Sequence, residues 1–132
     1  MPYVYVYQCD HCRRDLEITL CREFQQEPDG TPSDYHYPDP DLYEWPPRKV
    51  AGLWSRLWCP ACQRVRPLVV VQLDEPAEHP VQAFLAAEAR GYTGMETGPC
   101  PECGATLEVE IEDGPCPECG QGKLVCIGEY EP

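Results

Sequence analysis

Long apolar runs are missing from this chain. No stretch approaches the ~20 residues that a helix needs to cross a bilayer, so no membrane span is expected. The opening Met-Pro-Tyr-Val-Tyr-Val-Tyr lacks a positively charged start and a long apolar core, and does not read as a secretory signal. Histidine is scarce: His11, His36 and His79 are scattered, and none forms the H-E-x-x-H pair of a catalytic zinc site. Positive charge is scarce as well, with 10 Lys and Arg against 23 Asp and Glu, a net charge of -13. The deficit is uneven: residues 1–75 hold 8 basic and 12 acidic side chains, residues 76–132 hold 2 and 11. A polyanion such as DNA is repelled by the second part. Large apolar side chains are few for 132 residues, and 16 prolines break up regular patterns. A chain so composed cannot rely on a large core and needs staples.

Cysteine supplies the candidates. Eight of the 10 cysteines fall in four C-x-x-C pairs: Cys9/Cys12, Cys59/Cys62, Cys100/Cys103 and Cys116/Cys119. Random scattering would give about one such pair. With no secretory signal the expected compartment is the cytoplasm, where clustered thiols bind metal more often than they form disulfides. The phrase Pro-Cys-Pro-Glu-Cys-Gly occurs twice, at Pro99 and at Pro115. A C-x-x-C pair on a tight turn presents two sulfurs on one side. Two such knuckles face to face make a closed tetrahedron of thiolates, which suits zinc and leaves no position for water. Cys103 and Cys116 enclose only 12 residues, so Cys100, Cys103, Cys116 and Cys119 are expected to form one site. Cys9, Cys12, Cys59 and Cys62 then form the other, closing a loop of 46 residues. The competing arrangement is a cross-brace in which the first and third pairs share a metal. Two Zn2+ ions are expected, with iron at one site as the alternative, and Cys21 and Cys126 outside both.

The pattern between the cysteines is mainly β. Tyr3, Tyr5 and Tyr7 alternate with Val4 and Val6, and Leu16, Ile18 and Leu20 alternate with Glu17 and Thr19. These read as a hairpin whose turn is the first knuckle. Residues of about 25–50 form a Pro-, Tyr- and Asp-rich insertion with a turn at Asp29-Gly30. Leu53, Trp54, Leu57 and Trp58 read as a short helical or irregular patch, and Leu68–Leu73 as a strand buried on both faces. One helix starts at His79-Pro80, uses Val81, Phe84 and Leu85 as its face, and stops before Gly91. Leu107, Val109 and Ile111 alternate with Glu108, Glu110 and Glu112 as a strand, followed by a turn at Asp113-Gly114 and a last strand over Lys123–Ile127. The expected division is an N-terminal metal unit over 1–75, a linker helix over 76–93 and a C-terminal metal unit over 94–132.

Two knuckles facing each other resemble the zinc ribbon, the rubredoxin-like arrangement, here expected in tandem. The start MPYVYVYQCDHC also resembles the opening of FmdB-type regulatory zinc ribbons over about twelve residues, although the glycine usual after the second cysteine is replaced by Arg13 and Gln63. The resemblance implies metal binding and says little about function. The expected function is a non-enzymatic adaptor or accessory subunit with two structural zinc sites and a protein partner. LWCPAC also resembles an iron rubredoxin knuckle, which makes a one-electron carrier the alternative. Nucleic-acid binding is the third reading, disfavoured by net charge. It would run through Arg13, Arg14, Arg64 and Arg66, gathered by the first site. The expected contact surface for a basic partner is the Glu108, Glu110 and Glu112 stripe, and Tyr35, Tyr37, Tyr43 and Trp45 are a further candidate surface.

Overall fold

The alternation at the start of the chain does form a hairpin. In the computed structural model, which describes residues 3–36 and 48–131, β1 (Tyr3–Cys9) pairs antiparallel with β2 (Asp15–Gln26), Tyr5 facing Ile18 and Tyr7 facing Leu16. The Asp29-Gly30 turn returns the chain as β3 (Pro32–Asp34) along the far end of β2, with Gly30 at φ 87°. β4 (Val50–Cys59) and β5 (Arg64–Ala77) make a second hairpin around the second knuckle. The helix α1 (Pro80–Ala89) follows, and β6 (Leu124–Tyr130) ends the sheet. Strand order is β5-β4-β2-β1-β6, with β3 also on β2, and every pairing is antiparallel.

Several local expectations are corrected. Leu53, Trp54, Leu57 and Trp58 lie on β4, a central strand buried almost throughout because its side chains enter all three apolar clusters. Its continuous apolar run hides the period of two that an exposed strand would show. β5 is the reverse: it is an edge strand that alternates, with Val71 and Leu73 buried and Val69 exposed. The helix is where it was expected, but it packs through Ala83 and Ala87, with Phe84 half-buried, while Val81 and Leu85 face water. It lies on β4 and β5, and small side chains allow that close approach. Residues 107–112 are not a sheet strand. Leu107 and Ile111 do point inward and Glu108, Glu110 and Glu112 outward, but only Glu108 pairs with a strand, at Trp58.

Two apolar layers result. On one face Val50, Leu53, Val71, Leu73, Ala83 and Ala87 pack with Tyr35. That cluster continues towards the knuckle end into Ile18, Leu20, Leu57, Trp58, Leu107 and Ile111, which surround cysteines from all four pairs. A smaller group, Phe24, Ala51 and Trp54, packs elsewhere, and Arg56 stacks 5.1 Å from the Trp54 ring. Tyr35, expected at a contact surface, is buried here and donates its N–H to the Glu23 carbonyl. Tyr37, Tyr43 and Trp45 lie outside the described residues.

Gly52 is the tightest point of the sheet. A Cβ there would overlap the Val71 carbonyl oxygen and stand 2.7 Å from the Phe24 ring. Gly52→Ala is expected to cost about 2 kcal/mol or more in denaturant unfolding of the metal-loaded protein. A change within 0.5 kcal/mol would show that the β4–β5 hairpin opens there at little cost.

Candidate metal centres

Each knuckle is a turn stabilised by its own backbone. The N–H of Arg13 donates to the Cys9 carbonyl at 3.1 Å, and Gln63, Gly104 and Gly120 donate in the same way to Cys59, Cys100 and Cys116 at 2.9 Å. All four donors have positive φ: 65° at Arg13, 57° at Gln63, 79° at Gly104 and 65° at Gly120. Arg13 and Gln63 thus adopt the left-handed turn that glycine adopts freely, at a conformational cost of about 1 kcal/mol each. The turn points amides at sulfur: the Cys9 sulfur accepts from the N–H of His11 at 3.3 Å and of Cys12 at 3.4 Å, and the Cys59 sulfur from that of Cys62 at 3.3 Å.

The grouping of the knuckles overturns the expected one. Cys9 and Cys12 meet Cys116 and Cys119, while Cys59 and Cys62 meet Cys100 and Cys103. Neither the consecutive pairing nor the cross-brace forms. The first pair joins the fourth and encloses the second joined to the third. A boundary at residue 75 or 93 therefore cuts through both groups. The reason lies in the sheet. Cys9 and Cys59 end β1 and β4, which run the same way with β2 between them, so both knuckles sit at one end of the sheet. They are about 10 Å apart, two strand spacings. Residues 98–123 pass across this end. They anchor first at Trp58, where Glu108 exchanges two backbone hydrogen bonds of 2.8 and 3.1 Å. They anchor again at Asp10, whose N–H donates to the Lys123 carbonyl and whose carboxylate accepts the Lys123 N–H. β6 then pairs with β1 rather than closing a separate ribbon.

The sulfur geometry fits a single ion in each group. All four donor atoms lie within 4.8 Å of one another. Sulfur separations are 3.6 Å for Cys9–Cys119 and 3.7 Å for Cys12–Cys116 in the outer group. In the inner group they are 3.4 Å for Cys59–Cys103 and 3.9 Å for Cys62–Cys100. A tetrahedron with metal–sulfur bonds of about 2.3 Å has edges of about 3.8 Å. No cysteine is in a disulfide. The first cysteine of every knuckle is buried and the second is nearer water, so each ion would sit at the boundary between core and surface. Cys21 and Cys126 belong to neither group.

The thiols are unequal. Cys119 is drawn down to about 6, chiefly by the N–H groups of Gln121 and Gly122. Burial opposes ionisation of Cys100, but the N–H groups of Cys103 and Glu102 prevail and bring it to about 6. At Cys12 the Arg14 N–H favours the thiolate, yet burial and the neighbouring thiols push the group to about 11. At Cys103 the Ala105 N–H favours the thiolate, yet Cys59, burial and the other two thiols together push the group to about 12. Each group thus offers a thiolate at neutral pH beside a thiol that yields its proton only to a cation.

The same grouping separates the arginines. Arg13 and Arg14 follow the outer group's first knuckle, Arg64 and Arg66 the inner one's, so no single site gathers all four. Arg66 is engaged by Glu102, within the third knuckle, and Arg64 stands 3.6 Å from the same carboxylate. Cys62 lies beside Arg66 and helps hold its guanidinium charged against burial. Glu102 and its two arginines therefore tie the inner knuckles together, a role the sequence did not reveal. Gly122 is another such residue: a Cβ there would overlap the Cys9 sulfur and stand 2.7 Å from His11 Cβ. Its only signal in the sequence is the Gly-Gln-Gly run after Cys119.

Two measurements follow from this geometry. Gly122→Ala and Cys116→Ser should each remove one metal ion, the outer one, with the inner ion retained at native stoichiometry. Loss of the ion bound by Cys59 and Cys62 instead would contradict the nesting. Metal uptake should release protons at pH 7, at least one from Cys12 and one from Cys103. Affinity at each site should therefore fall at least tenfold per pH unit as pH drops, and more steeply below about 6, where Cys100 and Cys119 also protonate. Titration with a chelator at a series of pH values reads this directly. No family model, no curated protein and no solved structure matches the chain.

Proposed function

We propose that this protein is a non-enzymatic adaptor built on two structural zinc ions, a variant of the zinc-ribbon arrangement in which the two ribbons interleave. The observation that supports this most is the closed donor set: four thiols per group at tetrahedral spacing, in knuckles braced by backbone hydrogen bonds. A site of this kind offers no open position for a substrate or an activated water. Its contribution is to folding, since metal binding energy at such sites is folding energy.

The surface then carries the function. Glu108, Glu110 and Glu112 are exposed and line a common hollow of about 280 Å3 with Trp58, Gln63 and Leu124, between the two groups. Their backbone is fixed from both sides, by Trp58 at Glu108 and by Leu124 at Asp113. A rigid acidic segment suits a basic protein partner through steering and register. Arg13 and Arg14 are exposed as well and would serve a separate, acidic contact. Arg64 and Arg66, turned to Glu102, are left out of it.

Protein purified from its native host should carry two zinc ions per chain. Replacing Glu108, Glu110 and Glu112 together by Lys should abolish capture of the principal partner while both ions stay bound. Arg13→Glu with Arg14→Glu should spare that partner. Iron in the native protein would favour the electron carrier, and capture indifferent to both charge reversals would refute the adaptor.

A further inference from the structure

Tyr3 and Tyr5 of β1 are not used by either metal group, whereas Tyr7 is buried in the core beside the cysteines. Tyr3, Tyr5 and Tyr7 share one sheet face, since successive odd positions point the same way. Above them stand α1 and the turn after it. Two hollows open there. One, of about 330 Å3, is lined by Tyr3, Tyr5, Phe84, Glu88, Tyr92 and Met95 among others. The second, of about 220 Å3, is lined by Tyr5, Tyr7, Met95, Val109, Glu110 and Glu112, with Cys126. Tyr5 and Met95 border both, so the two form a single groove that follows β1. From Tyr3 to Tyr7 the strand covers about 13 Å, the span of about four residues of an extended peptide.

The groove is aromatic on its floor and acidic on its banks. Glu88 lies on the helix side and Glu110 and Glu112 on the tail side. Glu129 sits directly across from Tyr5 on β6, and cross-strand partners share a face. Glu131 stands near the Tyr3 hydroxyl and raises its pKa. Among the described residues no Lys or Arg lines either hollow. Tyr3 and Met95 remain 41% and 50% exposed. Beside the groove, β6 is an edge strand without proline or lysine, and it exposes Val125, Ile127 and Tyr130. The opposite edge, β5, carries Pro67 and Pro76, which block strand addition.

We propose that this groove binds an extended basic segment of a partner protein, in which Lys or Arg side chains alternate with apolar ones. The cations lie on the faces of Tyr3 and Tyr5 and meet the glutamates, and the apolar residues cover Met95 and Val109. A second copy of this chain is the wrong occupant, because it brings a net charge of -13 to a negative groove. Nucleic acid is excluded by the same sign. The inference deepens the adaptor reading and rests on it for the existence of a protein partner.

The test uses the full chain loaded with zinc and a ten-residue peptide of alternating Lys and Val. Saturable NMR shifts are expected at the Met95 methyl and the Tyr3 and Tyr5 rings. Affinity should fall at least tenfold in Glu110→Gln with Glu112→Gln, both exposed and outside the metal groups, and about threefold in Tyr3→Ala, with two ions still bound in each variant. Raising salt from 50 to 200 mM should weaken binding severalfold. Equal affinity for a Glu–Val peptide or for spermidine overturns the proposal, as do shifts confined to other surfaces or glutamine variants that bind unchanged. If the native partner is captured yet does not compete with the peptide, the groove assignment fails and the adaptor reading stands. If the peptide binds as described but no partner is ever captured, the adaptor reading fails alone.

Discussion

Both cysteine groups are completed by one stretch of chain. Residues 98–123 bring Cys100 and Cys103 to the second knuckle and Cys116 and Cys119 to the first, and between them they place Leu107 and Ile111 into the core. Almost everything else depends on that crossing. The sheet alone leaves its knuckle end open, with two half-built thiol pairs and a patch of Ile18, Leu57 and Trp58 in need of cover. The crossing segment has little regular secondary structure and few apolar side chains of its own. It is positioned by its two pairs of cysteines, by its bridge to Trp58 and by its contact with Asp10. Cysteine groups, core and tail are therefore interleaved rather than divided into two consecutive modules.

This explains which features were legible in the sequence. What is local could be read. The C-x-x-C pairs, the Tyr/Val alternation of β1 and the Pro80 start and Gly91 stop of the helix each carry their cause within a few residues. The partnership of the knuckles is not local. The 12-residue interval between Cys103 and Cys116 is short enough for a self-contained ribbon, and spacing alone favours it. The sheet decides otherwise, since β2 lies between β1 and β4 and holds their knuckles about two strand spacings apart. The tail can then reach both knuckles, and β6 finds its partner in β1. No signal in the residues 104–115 announces this. β4 was misread for a related reason. Burial on both faces removes the alternation by which a strand is recognised, so its Trp and Leu residues look helical.

The charge distribution also takes on meaning only in the fold. Read along the chain, the arginines after the first two knuckles look like one basic patch. In space each pair stays with its own metal group, and Arg64 and Arg66 turn to Glu102. The acids behave differently. Glu110, Glu112 and Glu129, all about a hundred residues or more after β1 in the chain, converge beside it around Tyr5.

The nesting has a bearing on synthesis. Cys9 and Cys12 emerge early, but their partners Cys116 and Cys119 are translated more than a hundred residues later. At 5–20 residues per second the wait is on the order of 5–20 s. Throughout it the first knuckle is a bare dithiol on a nascent chain, open to oxidation or to the wrong ion, while the second and third knuckles close ahead of it. The inner site is thus the earlier one in the life of the molecule, and the first cysteines to appear are the last to be sealed.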